Sequence, residues 1–144
     1  RVVLHRPTIS RLIELAKFIA SSMPFAAHVA LMGLEPTGFA RANRDALWID
    51  PADYAETLAA ATEILADVGM NVSIYNLPLC ALPKDLWTYS RDSISEWKRH
   101  HLSICGDCCV KSRCGGFFAS HTSAWQSRNV RAIRKEELCL TLPQ

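Results

Sequence analysis

Cysteine is absent from the first 79 of the chain's 144 residues, and all six cysteines lie at or after Cys80. The first half can therefore hold neither a disulfide nor a thiolate-bound metal. No apolar stretch approaches the ~20 residues that a membrane-spanning helix needs, although 49% of the residues are apolar. The expectation is a soluble, cytoplasmic chain, long enough for one domain with a proper core and too short for two. Internal repeats and low-complexity tracts are also missing. The chain opens Arg1-Val2-Val3-Leu4-His5, with no initiator Met and without the charged-then-apolar plan of a signal peptide. An opening inside a strand pattern is what a fragment lacking its N-terminal part would show.

What is present divides along the same line as the cysteines. Residues 1–79 carry six basic against eight acidic side chains, and residues 80–144 carry ten against six. The basic excess suits either a solvated surface or an acidic partner. Three segments follow: 1–79, 80–121, and a basic tail over 122–144.

Val2-Val3-Leu4 predicts a short strand that ends before Pro7. Thr8 or Ser10 would cap a helix running from Ile9, with Leu12, Ile13, Leu15, Ala16, Ile19 and Ala20 on one face. His28–Met32 reads as a buried strand, followed by a loop through Gly33 and residues 35–38. Asp50 is a suitable N-cap, Pro51 a first helical residue, and Asp53 a favourable charge at the positive end. Tyr54, Leu58, Ala61, Ile64, Leu65 and Val68 form the buried stripe of that helix, and Gly69 is placed to end it. Val72–Tyr75 is a third strand. Strands alternating with helices predict an α/β fold with a parallel sheet and right-handed crossovers. Three strands would leave both sheet edges open, so further strands are expected from outside this stretch.

Active sites of such folds gather beyond the carboxyl ends of the strands. Those ends are His5-Arg6, Gly33-Leu34-Glu35 and Asn76-Leu77-Pro78. After Cys80 the pattern changes. Leu82-Pro83 is a breaker, residues 85–89 predict a helical turn, and Ser93 could cap another through Glu96, Trp97 and Lys98. No period is visible from Ile104 to Gly116.

Cys105, Cys108 and Cys114 have the spacing C-x2-C-x5-C. A two-residue gap lets two sulfurs face one centre, and the longer return brings back a third. Gly115 and Gly116 let backbone pack close to a bulky group. Cys80, directly after the last strand, is the best fourth ligand, which leaves Cys109 and Cys139 spare. Disulfides are a weak reading without signs of secretion. Zinc is the serious rival to iron–sulfur, with His100, His101 and His121 as possible further ligands. Spacing alone does not choose between them.

The stretches His28–Glu35, Ala46–Pro51, Val72–Asn76 with Leu79-Cys80, Ser93–Lys98 and Cys114–Phe118 together resemble one family. The sequence is similar to the radical S-adenosylmethionine maturases of His-Xaa-Ser peptide systems, the HxsC type, from Arg1 to about His121. The resemblance implies a partial (βα)6 barrel, of which this stretch would be the last three strand–helix units. It also implies a cysteine-rich extension like the twitch and SPASM domains, which bind auxiliary 4Fe–4S clusters. Cys105, Cys108 and Cys114 match the core of that pattern. The fuller pattern has another cysteine where Phe118 stands, which favours a single cluster with Cys80 as fourth ligand.

The family's reactive cluster uses a C-x3-C-x2-C loop that is not among these residues, so this stretch alone is expected to be inactive. The intact enzyme would bind S-adenosylmethionine and a second 4Fe–4S cluster and abstract hydrogen from a peptide. By analogy that peptide carries His-Xaa-Ser repeats and is processed beside a second radical S-adenosylmethionine maturase. S-adenosylmethionine would lie across the strand ends, near His5, Arg6, Gly33, Glu35 and Asn76. Arg6 could pair with its carboxylate, and the backbone at Gly33 could approach its adenosine. Trp48, Trp87, Trp97, Phe117 and Phe118 would be core or cluster shielding.

The contrasting reading is a zinc-stabilised binding module that meets nucleic acid or an acidic protein. Its basic residues after Lys98 are not interleaved with the aromatics that single-strand binders use, so nucleic acid is not expected. A domain that only docks a partner maturase is the third possibility.

Overall fold

The computed structural model describes residues 1–92 and 94–139. Val2–Leu4 forms strand β1, and Pro7 sits in the first turn of a short helix α1 (Arg6–Ile9), where a missing N–H costs nothing. The cap of α1 is His5, not Thr8 or Ser10: its Nδ1 accepts the Thr8 amide at 3.2 Å. The single helix predicted from Ile9 is split, because the backbone leaves helical geometry at Arg11 and resumes as α2 (Leu12–Ser22). Leu12, Ala16 and Ile19 are the buried face of α2.

Strand β2 (His28–Gly33) is followed by two short helices, α3 (Gly38–Ala42) and α4 (Arg44–Leu47), beyond the predicted loop. Asp50 caps through Oδ1, which accepts the Ala52 amide at 2.9 Å. What it caps is a 3-10 turn over Pro51–Asp53, and α5 begins only at Ala55 and runs to Asp67. Tyr54, Leu58, Ala61 and Leu65 are buried, whereas Val68 is 55% exposed because the helix has already ended there. Gly69, with φ of 79°, makes the left-handed turn that returns the chain to β3 (Asn71–Tyr75).

The sheet has four parallel strands in chain order, β1-β2-β3-β4. Strand β4 (Ser90–Arg91) comes from beyond Cys80, where the sequence predicts no strand. The predicted helical turn before it is a 3-10 helix over Lys84–Tyr89. Right-handed crossovers between strands in chain order put their helices on one face, and α2 and α5 do pack against each other. The core lies between sheet and helices: Leu4, Val29, Leu31, Val72 and Ile74 meet Leu12, Ala16, Leu58 and Leu65. Each large side chain so buried contributes about 1.5–3 kcal/mol. The fold is α/β with a four-stranded parallel sheet. No helix among the described residues is long and apolar enough to cross a membrane.

A second, antiparallel pair joins β5 (Arg99–His100) to β6 (Phe117–Phe118), and the 3-10 turns Ser103–Asp107 and Lys111–Arg113 lie between them. Glu96–Lys98 is a 3-10 turn, and its expected cap Ser93 lies outside the described residues.

Residues 122–139 are not the solvated tail that their charge suggests. Trp125, Ser127 and Ile133 are buried, and α6 (Lys135–Cys139) closes the described chain. The carboxylate of Asp50 accepts from the Ser127 hydroxyl at 2.5 Å, the Arg128 amide at 3.0 Å and the Arg128 guanidinium at 3.3 Å. Arg44 lies over the rings of Trp48 and Trp125, and its Nε donates to the Ala124 carbonyl at 2.7 Å. The three segments read from the sequence are thus interlocked: 80–121 supplies a strand of the sheet, and 122–139 packs back onto the first.

Candidate metal centre

Cys80 lies in a 3-10 turn over Leu79–Ala81, which the chain enters after β3 through Pro78. Cys105 and Cys108 lie in and just after the turn Ser103–Asp107, and Cys114 just after Lys111–Arg113. These short turns explain the lack of any period between Ile104 and Gly116. They reverse the backbone every few residues, so the three cysteines come back to the wall of one pocket. All four cysteines line a single pocket, with Leu79, His101, Val110, Lys111, Phe117 and Arg131 completing its wall. Leu79, Val110 and Ile133 form a small buried core behind the thiols.

Backbone amides point at the sulfurs. Cys114 Sγ accepts from Leu79 at 3.4 Å and from Gly116 at 3.5 Å, and Cys108 Sγ from Ile133 at 3.4 Å. Backbone hydrogen bonds from Arg131 and Leu102 reach the thiols of Cys80 and Cys105. A neutral thiol is a weak acceptor. A sulfur met by an amide is therefore better suited to thiolate, the form that binds metal.

Burial pushes the Cys80 thiol up from its ordinary range, and the neighbouring Cys114, Cys105 and Cys108 push it further. Burial also raises Cys105, with Cys114 and Cys108 adding to it and Lys111 opposing. The raised thiols of Cys80 and Cys105 are a setting in which a bound cation would replace protons. Lys111 and Arg131 supply positive charge on the pocket wall. Arg131 is itself held by Glu137 at 2.7 Å, and it keeps the Glu137 carboxyl down at about 2.

The free space between the thiols is about 10 Å³, the size of a single water site. Among the described residues no three or more His, Cys, Asp or Glu side chains are gathered closely enough to form a ready-made ion site. The donor set and its amides fit a metal–thiolate centre, while the side chains themselves would have to settle around it. Cys80, Cys105, Cys108, Cys109 and Cys114 are all free, so none of them is in a disulfide. Cys109 does not line the thiol pocket; with Cys108 it borders a second hollow beside Gly106, Asp107 and Arg134, and it packs against the same small core. The side chain of Cys139 lies outside the described residues.

The residues expected around S-adenosylmethionine are at the strand ends but do not share one cavity. His5 caps α1, and Arg6 donates to the Trp48 carbonyl at 2.9 Å. Glu35 pairs with Lys98 at 3.8 Å. Gly33 is packed so tightly that a Cβ there would sit 2.6 Å from the Asn76 carbonyl oxygen. Asn76, at φ of 63°, donates from Nδ2 to the Gly33 carbonyl at 3.4 Å. Of the five, only Asn76 lines the cavity at this end of the sheet. That cavity holds about 60 Å³ and is walled by Phe117, Phe118, His121 and Trp125, against roughly 300 Å³ or more for a typical cofactor site.

Sequence reasoning missed the second half of the pocket wall. Arg131 reaches it from a segment with no recognisable motif, in which Ile133, set among basic residues, packs behind the thiols. Lys111, inside the cysteine motif, was open to the charge argument. Of the three histidines proposed as zinc ligands, His101 lines the thiol pocket and His121 lines the strand-end cavity.

No protein-family model, no curated protein and no solved structure matches the chain.

Proposed function

We propose that Cys80, Cys105, Cys108 and Cys114 hold an auxiliary 4Fe–4S cluster in a radical S-adenosylmethionine peptide maturase of the His-Xaa-Ser type. The observation that carries this reading is the convergence of four free thiols, drawn from segments up to 34 positions apart in sequence, on one pocket where backbone amides meet each sulfur. The parallel sheet in chain order, with α2 and α5 packed together, agrees with a sector of a (βα)6 barrel. The sequence resemblance supplies the peptide with His-Xaa-Ser repeats, the second maturase as partner, and S-adenosylmethionine with the reactive cluster elsewhere in the enzyme.

In this reading the four thiolates bind the cluster, and the amides of Leu79, Gly116, Ile133, Arg131 and Leu102 balance its negative charge. Phe117, Leu79 and Val110 keep water from its inner side. When bound, such a cluster supplies a place to anchor substrate or to accept an electron. The small strand-end cavity gives no support to S-adenosylmethionine binding by this stretch alone, and that part of the reading rests on the resemblance.

Purification without oxygen tests it. A brown protein with iron and sulfide in equal amounts supports the cluster, and loss of both in Cys80→Ala supports the fourth ligand. Unchanged iron in that variant would remove Cys80 from the set. The second reading is a structural zinc ion, favoured by the roughly 10 Å³ between the thiols. A colourless protein holding one zinc, with no iron after reconstitution, would establish it instead.

A further inference from the structure

The strand pair β5–β6 does more than connect the cysteines. His101 follows β5 directly, and Gly116 directly precedes β6, so the pairing lays the imidazole against the turn that carries Cys114. At Gly116 a Cβ would sit 3.0 Å from His101 Nε2 and 2.8 Å from the His100 carbonyl oxygen, and φ is 70°. Only glycine leaves the ring this room. Nε2 of His101 is buried and has no hydrogen-bond partner among the described residues, and His101 lines the same pocket as Cys80, Cys105, Cys108 and Cys114.

A buried ring nitrogen without a partner is unfavourable, so something at this site should satisfy it. Among the described residues no protein group does. The remaining candidate is whatever the four thiols hold. Four thiolates already fill the ligand positions of a four-iron cluster, which leaves the imidazole the sulfur atoms and not the iron.

We infer that His101 donates an Nε2–H hydrogen bond to a sulfur of the bound cluster and thereby sets its reduction potential. The inference rests on the cluster reading above and adds to it a residue that tunes the centre without ligating it. A donor to sulfur stabilises the more negative, reduced state, so the bond raises the potential. Gly116 is the positioning residue that admits the ring.

The test uses the 144-residue chain, reconstituted without oxygen with ferrous iron and sulfide. In His101→Leu the cluster should remain, its midpoint should shift to lower potential, and His101→Gln, which keeps an N–H donor, should recover part of the shift. Pulsed electron paramagnetic resonance of the reduced wild type should show weak nitrogen coupling from an imidazole, altered by ¹⁵N-histidine labelling and absent in His101→Leu. Should His101→Leu fail to hold the cluster, the labelled wild type decides by the same signal. An intact cluster with an unmoved midpoint and no histidine signal would overturn the inference alone. Strong coupling typical of a nitrogen bound to iron would overturn it in favour of ligation. A wild-type chain that takes up no iron would overturn both the cluster reading and the inference, and the metal analysis tells the two failures apart.

Discussion

The Leu79 amide donates to the sulfur of Cys114 at 3.4 Å, across 35 residues. This bond fastens the turn that leaves the parallel sheet to the last cysteine of the C-x2-C-x5-C motif. Cys80 is the next residue, so the same bond fixes how the fourth thiol faces the other three. The sheet and the thiol pocket are thus tied together by this bond.

Two cysteine substitutions should separate position from chemistry. Cys114→Ser keeps the size of the side chain but removes a soft ligand, and metal content should fall by at least half. Cys109→Ser changes a thiol that does not line the pocket of the other four, and metal content should stay at the wild-type level. Metal analysis of both proteins, purified side by side, checks this. Equal losses in the two would show that the pocket is misassigned.

Asp50 should govern acid stability. Burial alone would raise its carboxyl, but the Ser127 hydroxyl, the Arg128 and Ala52 amides and the Arg128 guanidinium together hold it below the ordinary 3.8. A depressed folded value means that the stabilisation is complete above the unfolded value, about 3.9, and is lost as pH falls through the folded one. Asp50→Asn should cost about 1–3 kcal/mol at pH 7, and the gap to wild type should narrow below about pH 4. Urea midpoints at pH 7, 5 and 3 measure it; a gap that does not change with pH would contradict the role of charge.

The sheet was legible because β-branched runs such as Val72–Tyr75 alternate with helices whose apolar stripes have a clear period. The α/β class and three of the four strands follow from that pattern. Strand β4 did not, since Ser90 and Arg91 have no strand character and pair only because β3 offers them an open edge. Cys105, Cys108 and Cys114, close in spacing, line one pocket together with Cys80, which follows the last predicted strand. The anchoring of 122–139 was not, because it depends on one carboxylate, Asp50, meeting Ser127 and Arg128 from 77 and 78 positions away. His5 as a helix cap was equally hidden, because imidazole rarely takes a position that Ser, Thr, Asp and Asn fill more often.

Gly33 should tolerate no side chain. A Cβ would meet the Asn76 carbonyl oxygen at 2.6 Å and Leu77 Cδ2 at 2.8 Å, and the first of these is backbone. Gly33→Ala should force β2 and the segment after β3 apart and cost about 2–4 kcal/mol, in the range of strongly overpacked sites. The midpoint of thermal or urea unfolding reads this directly. An alanine variant as stable as wild type would mean that the strand ends are less closely packed than described.

Ile133 offers the sharpest test of the link between the last segment and the metal pocket. It is 2% exposed, packs with Leu79 and Val110 behind the thiols, and uses its own amide on Cys108 Sγ at 3.4 Å. Its carbonyl accepts from the Cys109 amide at 3.0 Å. Ile133→Ala leaves both backbone bonds chemically possible but empties the space that holds them in place. The truncation should cost about 2–5 kcal/mol. Because the small core behind the thiols depends on this side chain more than the main core does, the loss should fall first on metal retention. Bound metal should therefore leave faster to a chelator in Ile133→Ala, while the circular dichroism of the α/β unit stays close to wild type. Ile133→Val, which removes one methylene, should lie between the two. If chelator release were unchanged while global stability fell, Ile133 would belong to the general core and the last segment would have no part in closing the pocket.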